Sequence, residues 1–146
     1  MTPNAEFRIL LVEDSPSDAE LAKLAFANSS FKSHVSHARD GVEALAMLRR
    51  EGEFSSWQRP DLIFLDLNMP RKDGRQVLGE LRMDANLGYI PVIVMTTSSD
   101  EGDVLDCYRL GTNSYIVKPV ELQEFFRLIE DTQHYWCRTC VLPSRS

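Results

Sequence analysis

Two kinds of hydrophobic pattern alternate along this chain. Short runs that are apolar at nearly every position predict strands covered on both faces, whereas apolar positions that recur every three or four residues predict helices with one buried side. The runs predict five strands, the second of them weakly: 8–12, 33–38, 62–65, 91–95 and 115–117. A polar segment rich in turn residues, 51–60, is predicted to be a loop.

The helical pattern follows each predicted strand, at 16–28, 42–50, 74–83, 101–110 and from 122 onward. The first helix has a start signal, because Ser15 can cap it, Pro16 suits its first position and Asp18 completes a pattern like a capping box. The side chains expected to face the core are Leu21, Leu24, Ala25, Val42, Leu45, Leu48, Val77, Leu78, Leu81, Leu122, Phe125, Phe126 and Ile129.

Five strands alternating with five helices predict an α/β fold, in which a doubly wound parallel sheet carries helices on both faces. Binding sites in such sheets form at the carboxyl ends of the strands. The residues that directly follow the predicted strands are therefore the first candidates for function.

Composition restricts the setting of this fold. With 146 residues, 43% of them hydrophobic, the chain has the size of one compact domain. Its net charge of −6 and its lack of a basic run argue against nucleic acid or a membrane surface as partners. We find neither an apolar segment of the roughly 20 residues that span a bilayer nor a signal-peptide pattern. Three cysteines, an odd number, favour a reduced, cytoplasmic setting.

Charged and polar residues follow four of the predicted strands. Glu13 and Asp14 follow the first, Asp66 the third, Thr96 the fourth and Lys118 the fifth. Two unit charges about 4 Å apart interact by roughly 4 kcal/mol at an effective dielectric of about 20, so clustered carboxylates need a positive partner. Lys118 supplies one charge, and a divalent metal with oxygen ligands, Mg²⁺ rather than zinc, would supply two more.

These residues resemble the receiver domain of response regulators in two-component signalling. The resemblance rests on the Glu13-Asp14 pair, the Asp-Leu-Asn-Met-Pro segment that begins at Asp66, Gly74, Thr96 and the Tyr-Ile-Val-Lys-Pro segment 115–119. It implies a flavodoxin-like sheet in the order 2-1-3-4-5. It also implies a receiver domain at 8–131, with a lead at 1–7 and a tail at 132–146.

The resemblance assigns a chemical role to each strand-end residue. Asp66 is then the phosphoacceptor, attacking a phosphohistidine of a sensor histidine kinase. Mg²⁺ is then held by Asp66 together with Asp14, by Glu13 mainly through water, and by the backbone carbonyl of Asn68. The Lys118 ammonium is expected to pair with a phosphoryl oxygen as a compact point charge.

Two further expectations follow from the resemblance. Thr96 and Tyr115 form a switch pair, in which Thr96 moves toward the phosphoryl group and Tyr115 turns into the space that it leaves. The peptide bond between Lys118 and Pro119 is expected to be cis.

The end of the chain resembles stand-alone regulators that pair with cyanobacterial-type phytochrome histidine kinases. The resembling residues are Tyr135, Trp136 and the Val-Leu-Pro segment 141–143. An exposed apolar cluster of this kind predicts a homodimer through the fourth helix, the fifth strand, the fifth helix and the tail. Cys137 and Cys140 offer too few ligands for a closed zinc site and are expected to pack in the tail.

Three other functions compete with a phosphorylated interaction module. A Mg²⁺-dependent phosphatase or phosphotransferase with an Asp nucleophile typically has an acid two residues later, where this chain has Asn68. A flavin- or nucleotide-binding domain needs a glycine-rich turn after the first strand, where Glu13 and Asp14 would repel a phosphate. A scaffold that has lost phosphorylation is disfavoured by the complete set of acceptor residues.

Overall fold

The computed structural model describes residues 7–144, which form a parallel sheet of five strands in the order β2-β1-β3-β4-β5. This confirms the predicted fold class and strand order. Six of the seven residues predicted as a lead lie outside the described range, and the seventh, Phe7, begins β1. The strands are β1 Phe7–Val12, β2 Ser33–Ala38, β3 Leu62–Leu65, β4 Val92–Thr96 and β5 Ser114–Val117.

Five α-helices connect and follow the strands. Their bounds are α1 Pro16–Ala27, α2 Gly41–Leu48, α3 Gly74–Met83, α4 Glu101–Arg109 and α5 Leu122–His134. A single 3-10 turn, Gly52–Phe54, lies in the predicted loop, and a π-helical turn, Tyr135–Thr139, continues α5. Within residues 7–144, none of the helices has the length and apolar composition needed to cross a membrane.

The core lies in two layers, one on each face of the sheet. Alternate residues of β1 and β3 point to opposite faces, so that Leu10 and Ile63 pack with α2 and α3 while Ile9 and Phe64 pack with α1 and α5. The Phe64 ring meets the Phe26 ring of α1 edge-on, with centroids 5.2 Å apart. The central strand β3 is therefore apolar at every position because both of its faces are covered.

Three apolar residues predicted to face the core are instead exposed: Leu24 by 51%, Val42 by 42% and Leu122 by 52%. Helix α1 packs through Ala19, Ala22, Ala25 and Phe26, so its buried side is rotated away from Leu24. Val42 and Leu122 lie in the first turns of α2 and α5.

The start of α1 also differs from the prediction in one bond. Ser15 caps the helix as expected, its Oγ accepting from the backbone N–H of Asp18 at 3.3 Å. The backbone N–H of Ser15, however, donates to Glu13 Oε2 at 3.3 Å rather than to Asp18. The capping residue is therefore tied to the acidic pair that follows β1.

The tail is more closely packed than the sequence predicts. Trp136, Cys137 and Leu142 pack against the core layer of α1 and α5, and only Tyr135 and Val141 of the predicted apolar cluster are widely exposed. Burial raises the pKa of the Cys137 thiol to about 12, with the charge of Asp61 adding to the effect. Helix α5 runs on to His134, so the tail continues it directly.

Candidate functional site

The strand-end residues converge at one edge of the sheet. Glu13 and Asp14 follow β1, Asp66 follows β3, Thr96 ends β4 and Lys118 follows β5. Two backbone hydrogen bonds extend the sheet into these loops, from Asp66 N–H to the Val12 carbonyl at 3.1 Å and from Lys118 N–H to the Thr96 carbonyl at 2.7 Å. The positions of Asp66 and Lys118 are thereby fixed by the sheet itself.

Three carboxylates form a compact cluster at this edge. Glu13, Asp14 and Asp66 each place an oxygen within 4.8 Å of the others. Glu13 is buried and Asp14 and Asp66 are partly exposed, so the cluster opens to solvent on one side. Three anionic oxygens at this spacing fit a hard divalent cation, which prefers oxygen ligands. The cluster is therefore a candidate divalent metal site.

Lys118 lies beside the cluster as its positive partner. Its Nζ donates to Glu13 Oε1 at 2.6 Å and lies 3.7 Å from Asp18 Oδ2. Burial by itself would lower the pKa of Lys118, but the hydrogen bond and the charge of Glu13, together with Asp66, raise it. The side chain is therefore held as an ammonium ion within the site.

The Asp66 carboxyl is strongly perturbed. Burial and the neighbouring charge of Glu13 together raise its pKa from 3.8 to about 7, while Lys118 acts in the opposite direction. A cation that binds beside this carboxyl stabilises its ionised form. The shift is of the kind found at functional sites rather than at exposed acids.

We expect a pH-dependent cost of folding from Asp66 in metal-free protein. Because its pKa is higher in the folded than in the unfolded chain, the protonated form favours folding, and this contribution is lost as the pH rises from about 4 to about 7. In EDTA at pH 8, Asp66→Asn is therefore expected to raise the free energy of unfolding by about 1–3 kcal/mol. Urea denaturation across pH measures this, and a gain that persists unchanged at pH 4 would contradict it.

The backbone behind Asp66 is packed tightly against the start of α3. The Gly74 N–H donates to the Leu67 carbonyl at 2.9 Å. A Cβ at Gly74 would lie 2.4 Å from the Asp66 carbonyl oxygen and 2.8 Å from the Leu67 Cα. Only glycine allows this approach, so α3 supports the loop that carries Asp66.

Gly74→Ala is accordingly expected to lower the free energy of unfolding by about 1–3 kcal/mol, because backbone atoms must move to admit the methyl group. The matched control is Gly79→Ala in the same helix, where the added Cβ would lie 3.7 Å from Leu110 Cδ2, an ordinary contact. That change is expected to stabilise the chain by about 0.5–1 kcal/mol. The free energies of unfolding are measured by chemical denaturation. Equal changes for the two substitutions would refute the close approach of Gly74 to the backbone of Asp66 and Leu67.

Thr96 and Tyr115 are joined through a residue that the sequence did not indicate. Thr96 is fully buried, and its Oγ1 accepts from the Ser98 N–H at 3.4 Å. The Tyr115 hydroxyl donates to the Ser98 carbonyl at 2.9 Å, and its ring packs against the core layer of α2 and α3. Burial raises the pKa of the Tyr115 hydroxyl. Ser98 therefore bridges the two residues of the predicted switch pair.

Two other features of the site differ from the sequence prediction or go beyond it. Within residues 7–144 every peptide bond is trans, so the predicted cis bond between Lys118 and Pro119 is wrong. The trans form of an X–Pro bond has the lower energy. In this trans arrangement the Lys118 side chain still reaches Glu13. His37 places its Nε2 2.8 Å from the Glu13 carbonyl oxygen. This contact depends on the register of β2 on β1, which sets His37 beside Leu11 and cannot be read from the sequence pattern.

A cavity of about 260 Å³ opens beside the acidic cluster. Its polar side is formed by Glu13, Asp66 and Lys118, and its apolar side includes Leu21 and Phe125. The perturbed carboxyl therefore borders a space that a small group can enter from solvent.

Comparison with known proteins gives consistent matches. Residues 9–130 match the family model described as the response regulator receiver domain. Response regulator Rcp1 of Synechocystis sp. is 41% identical over 136 residues, which are 93% of this chain and 92% of that protein.

Solved structures agree over nearly the same length. The crystal structure of the phosphorylated cyanobacterial phytochrome response regulator RcpA superposes with a TM-score of 0.91 at 46% identity, covering 96% of this chain and 100% of that one. The Mn²⁺-bound form of Rcp1 superposes with a TM-score of 0.87 at 40% identity, covering 94% and 99%.

Proposed function

This chain belongs to the response regulator receiver family, and on that basis we propose that its Asp66 carboxylate accepts a phosphoryl group from a sensor histidine kinase. The observation that carries the proposal is the convergence of the three carboxylates, whose oxygens lie within 4.8 Å, beside the Lys118 ammonium. Separate elements of the chain supply these groups, and their combination suits transfer of an anionic phosphoryl group.

The proposed transfer is a displacement at phosphorus. An oxygen of Asp66 bonds to phosphorus while the N–P bond of a phosphohistidine breaks, and the electron pair of that bond stays on the imidazole nitrogen. Asp66 must be ionised to attack, which the raised pKa of the metal-free carboxyl opposes at neutral pH. Lys118 passes from Glu13 to an oxygen of the incoming group, where its charge offsets the repulsion between two anions.

We propose Mg²⁺ as the cation of this site, held by Asp14, Asp66 and the Asn68 backbone carbonyl, with Glu13 acting through water. Both Glu13 oxygens already accept hydrogen bonds, from Lys118 and from the Ser15 N–H, which suits an indirect role. A bound Mg²⁺ would offset the negative charge of these carboxylates and of the incoming phosphoryl group. The Thr96 hydroxyl still has its proton to donate to a phosphoryl oxygen, because it accepts from Ser98.

The test is uptake of phosphate from a small phosphodonor. With acetyl phosphate and Mg²⁺, intact mass spectrometry is expected to find one phosphoryl group per chain. The rival, an Asp-nucleophile phosphatase, instead predicts multiple turnovers of p-nitrophenyl phosphate. Continuous turnover without a stable adduct would overturn the proposal.

We further propose that the kinase partner is of the phytochrome type and that the setting is cytoplasmic. The support is the similarity to RcpA and Rcp1 over nearly the whole chain. The three cysteines are free thiols, as in a reduced compartment. The test measures phosphoryl transfer to this chain from autophosphorylated kinases. Transfer is expected to be faster from a phytochrome kinase than from a chemotaxis kinase. Equal rates would contradict the pairing.

A homodimer through α4, β5 and α5 is also proposed, with residues 8–131 as the receiver unit and 132–146 as an accessory tail. This face exposes about half of each of several large apolar side chains. They are Leu105 and Tyr108 of α4, Val117 of β5, Leu122 of α5 and Tyr135 of the tail. Large apolar side chains exposed on these elements favour a partner surface.

Leu105→Glu is expected to convert the dimer to a monomer in light scattering, because it places a charge in the proposed interface. The matched control is Leu24→Glu, which changes an equally exposed leucine on α1, outside that face. A wild-type chain that is monomeric at about 100 μM, far above a typical dimer Kd, would contradict the proposal. So would an equal effect of the two substitutions.

A further inference from the structure

Ser98 lies at the centre of a hydrogen-bond network on the loop between β4 and α4. Its N–H donates to Thr96 Oγ1, and its carbonyl accepts from the Tyr115 hydroxyl. Its own hydroxyl donates to Asp103 Oδ2 at 2.6 Å and accepts from the Asp100 N–H at 3.3 Å. The conformation of this residue therefore determines whether Thr96 and Tyr115 have their partners.

Asp103 connects this network to α3. Its Oδ1 accepts a close hydrogen bond from Arg75 Nη2, and the two charged groups form an ion pair. Arg75 Nε also lies 3.8 Å from Asp106 Oδ2. Both Arg75 and Asp103 are partly buried, so solvent and salt screen this pair less than an exposed one.

The other end of the connection is the phosphoacceptor loop. Arg75 directly follows Gly74, the residue packed against the Asp66 carbonyl. One continuous set of contacts thus runs from the backbone of Asp66, through the start of α3, to Asp103, Ser98 and Tyr115. It reaches Thr96 through the Ser98 N–H.

We propose that Arg75 and Asp103 are positioning residues of the switch, which act through Ser98 to hold the loop in the conformation that engages Thr96 and Tyr115. This assignment rests on the proposed function and on the switch role that the family resemblance predicts for those two residues. With the ion pair broken, Asp103 no longer has a fixed orientation, and the Ser98 hydroxyl loses its acceptor. The loop then samples conformations in which Tyr115 lacks its carbonyl partner, so fewer molecules are ready to accept a phosphoryl group.

The experiment uses the full chain labelled with 3-fluorotyrosine and observed by ¹⁹F NMR. The chain has four tyrosines, and the Tyr115 resonance is identified by its absence in Tyr115→Phe. The variants are Arg75→Gln and Asp103→Asn. The matched control is Arg49→Gln, which breaks the 3.1 Å ion pair with Glu80 near the same helix but outside the network.

Without any phosphodonor, the Tyr115 resonance is expected to shift in Arg75→Gln and Asp103→Asn and to stay in place in Arg49→Gln. With Mg²⁺, the acetyl phosphate concentration for half-maximal phosphorylation is expected to rise about 3- to 10-fold in the first two variants only, a modest population shift. In a Tyr115→Phe background, Arg75→Gln is expected to change this concentration little further. The hydrogen bond from the Tyr115 hydroxyl to the Ser98 carbonyl, which Arg75 supports, is already absent there.

An unmoved Tyr115 resonance, an equal change in Arg49→Gln, or full additivity with Tyr115→Phe would each overturn the positioning role. Denaturation curves establish that each variant is folded at the temperature of the measurement. The NMR comparison is made on unphosphorylated protein. Failure of the wild type to take up phosphate would therefore overturn the proposed function, whereas a Tyr115 resonance that stays in place in Arg75→Gln and Asp103→Asn overturns only the positioning role.

Discussion

Asp66→Asn is expected to take up no phosphoryl group from acetyl phosphate and Mg²⁺, under conditions in which the wild-type chain takes up one. The amide has nearly the shape of the carboxylate but has no anionic oxygen to attack phosphorus. The backbone bond from residue 66 to the Val12 carbonyl remains, so the loop keeps its position. Loss of a covalent nucleophile removes the reaction path itself, and we expect the rate to fall by at least about 1,000-fold.

The control for Asp66→Asn is Asp131→Asn, which removes an exposed carboxylate of α5. It is expected to be phosphorylated at the wild-type rate. An adduct of wild-type amount on Asp66→Asn would show that another group accepts the phosphate, and the assignment of Asp66 would be wrong.

Removal of divalent cations is the second change with a large expected effect. In EDTA, phosphorylation is expected to slow by about 100-fold or more, which corresponds to about 2.7 kcal/mol of lost charge stabilisation. Without the cation, the attacking carboxylate meets an anionic donor beside two further carboxylates, Glu13 and Asp14, with Lys118 as the positive partner. Excess Mg²⁺ or Mn²⁺ is expected to restore the rate.

The role of the individual ligands can be separated by titrating Mg²⁺. Asp14→Asn is expected to raise the Mg²⁺ concentration for half-maximal rate by about 10-fold or more, as losing a ligand costs affinity. The control is Glu20→Gln, which changes an exposed α1 acid paired with Lys23 at 3.4 Å. Equal rates with and without EDTA would refute a metal-assisted transfer.

The sheet and the strand-end residues could be predicted because they depend on local pattern. A strand such as Leu62–Leu65, buried on both faces, must be apolar at each position, and parallel strands bring Asp66 and Lys118 to the same edge. The exposed Leu24 was wrongly placed for a different reason. Helix α1 uses alanines to approach the sheet closely, and hydrophobicity alone does not distinguish a small buried side from a large exposed one.

The contacts that complete the site depend on tertiary packing. Arg75 and Asp103 are 28 positions apart, and Tyr115 lies 17 positions from Ser98. Their pairing requires the relative placement of α3, α4 and β5, which periodicity does not encode. The contact of His37 with Glu13 likewise needs the register of β2 on β1.

The role of Asp66 as phosphoacceptor is tested most directly by locating the phosphoryl group on the wild-type chain. After incubation with acetyl phosphate and Mg²⁺, borohydride reduces an aspartyl phosphate to homoserine, and tandem mass spectrometry of the peptides identifies the converted residue. Homoserine is expected at position 66, with Asp14 and Glu13 unmodified. Conversion at another carboxylate, or a phosphate on a hydroxyl or histidine that borohydride leaves intact, would contradict this role.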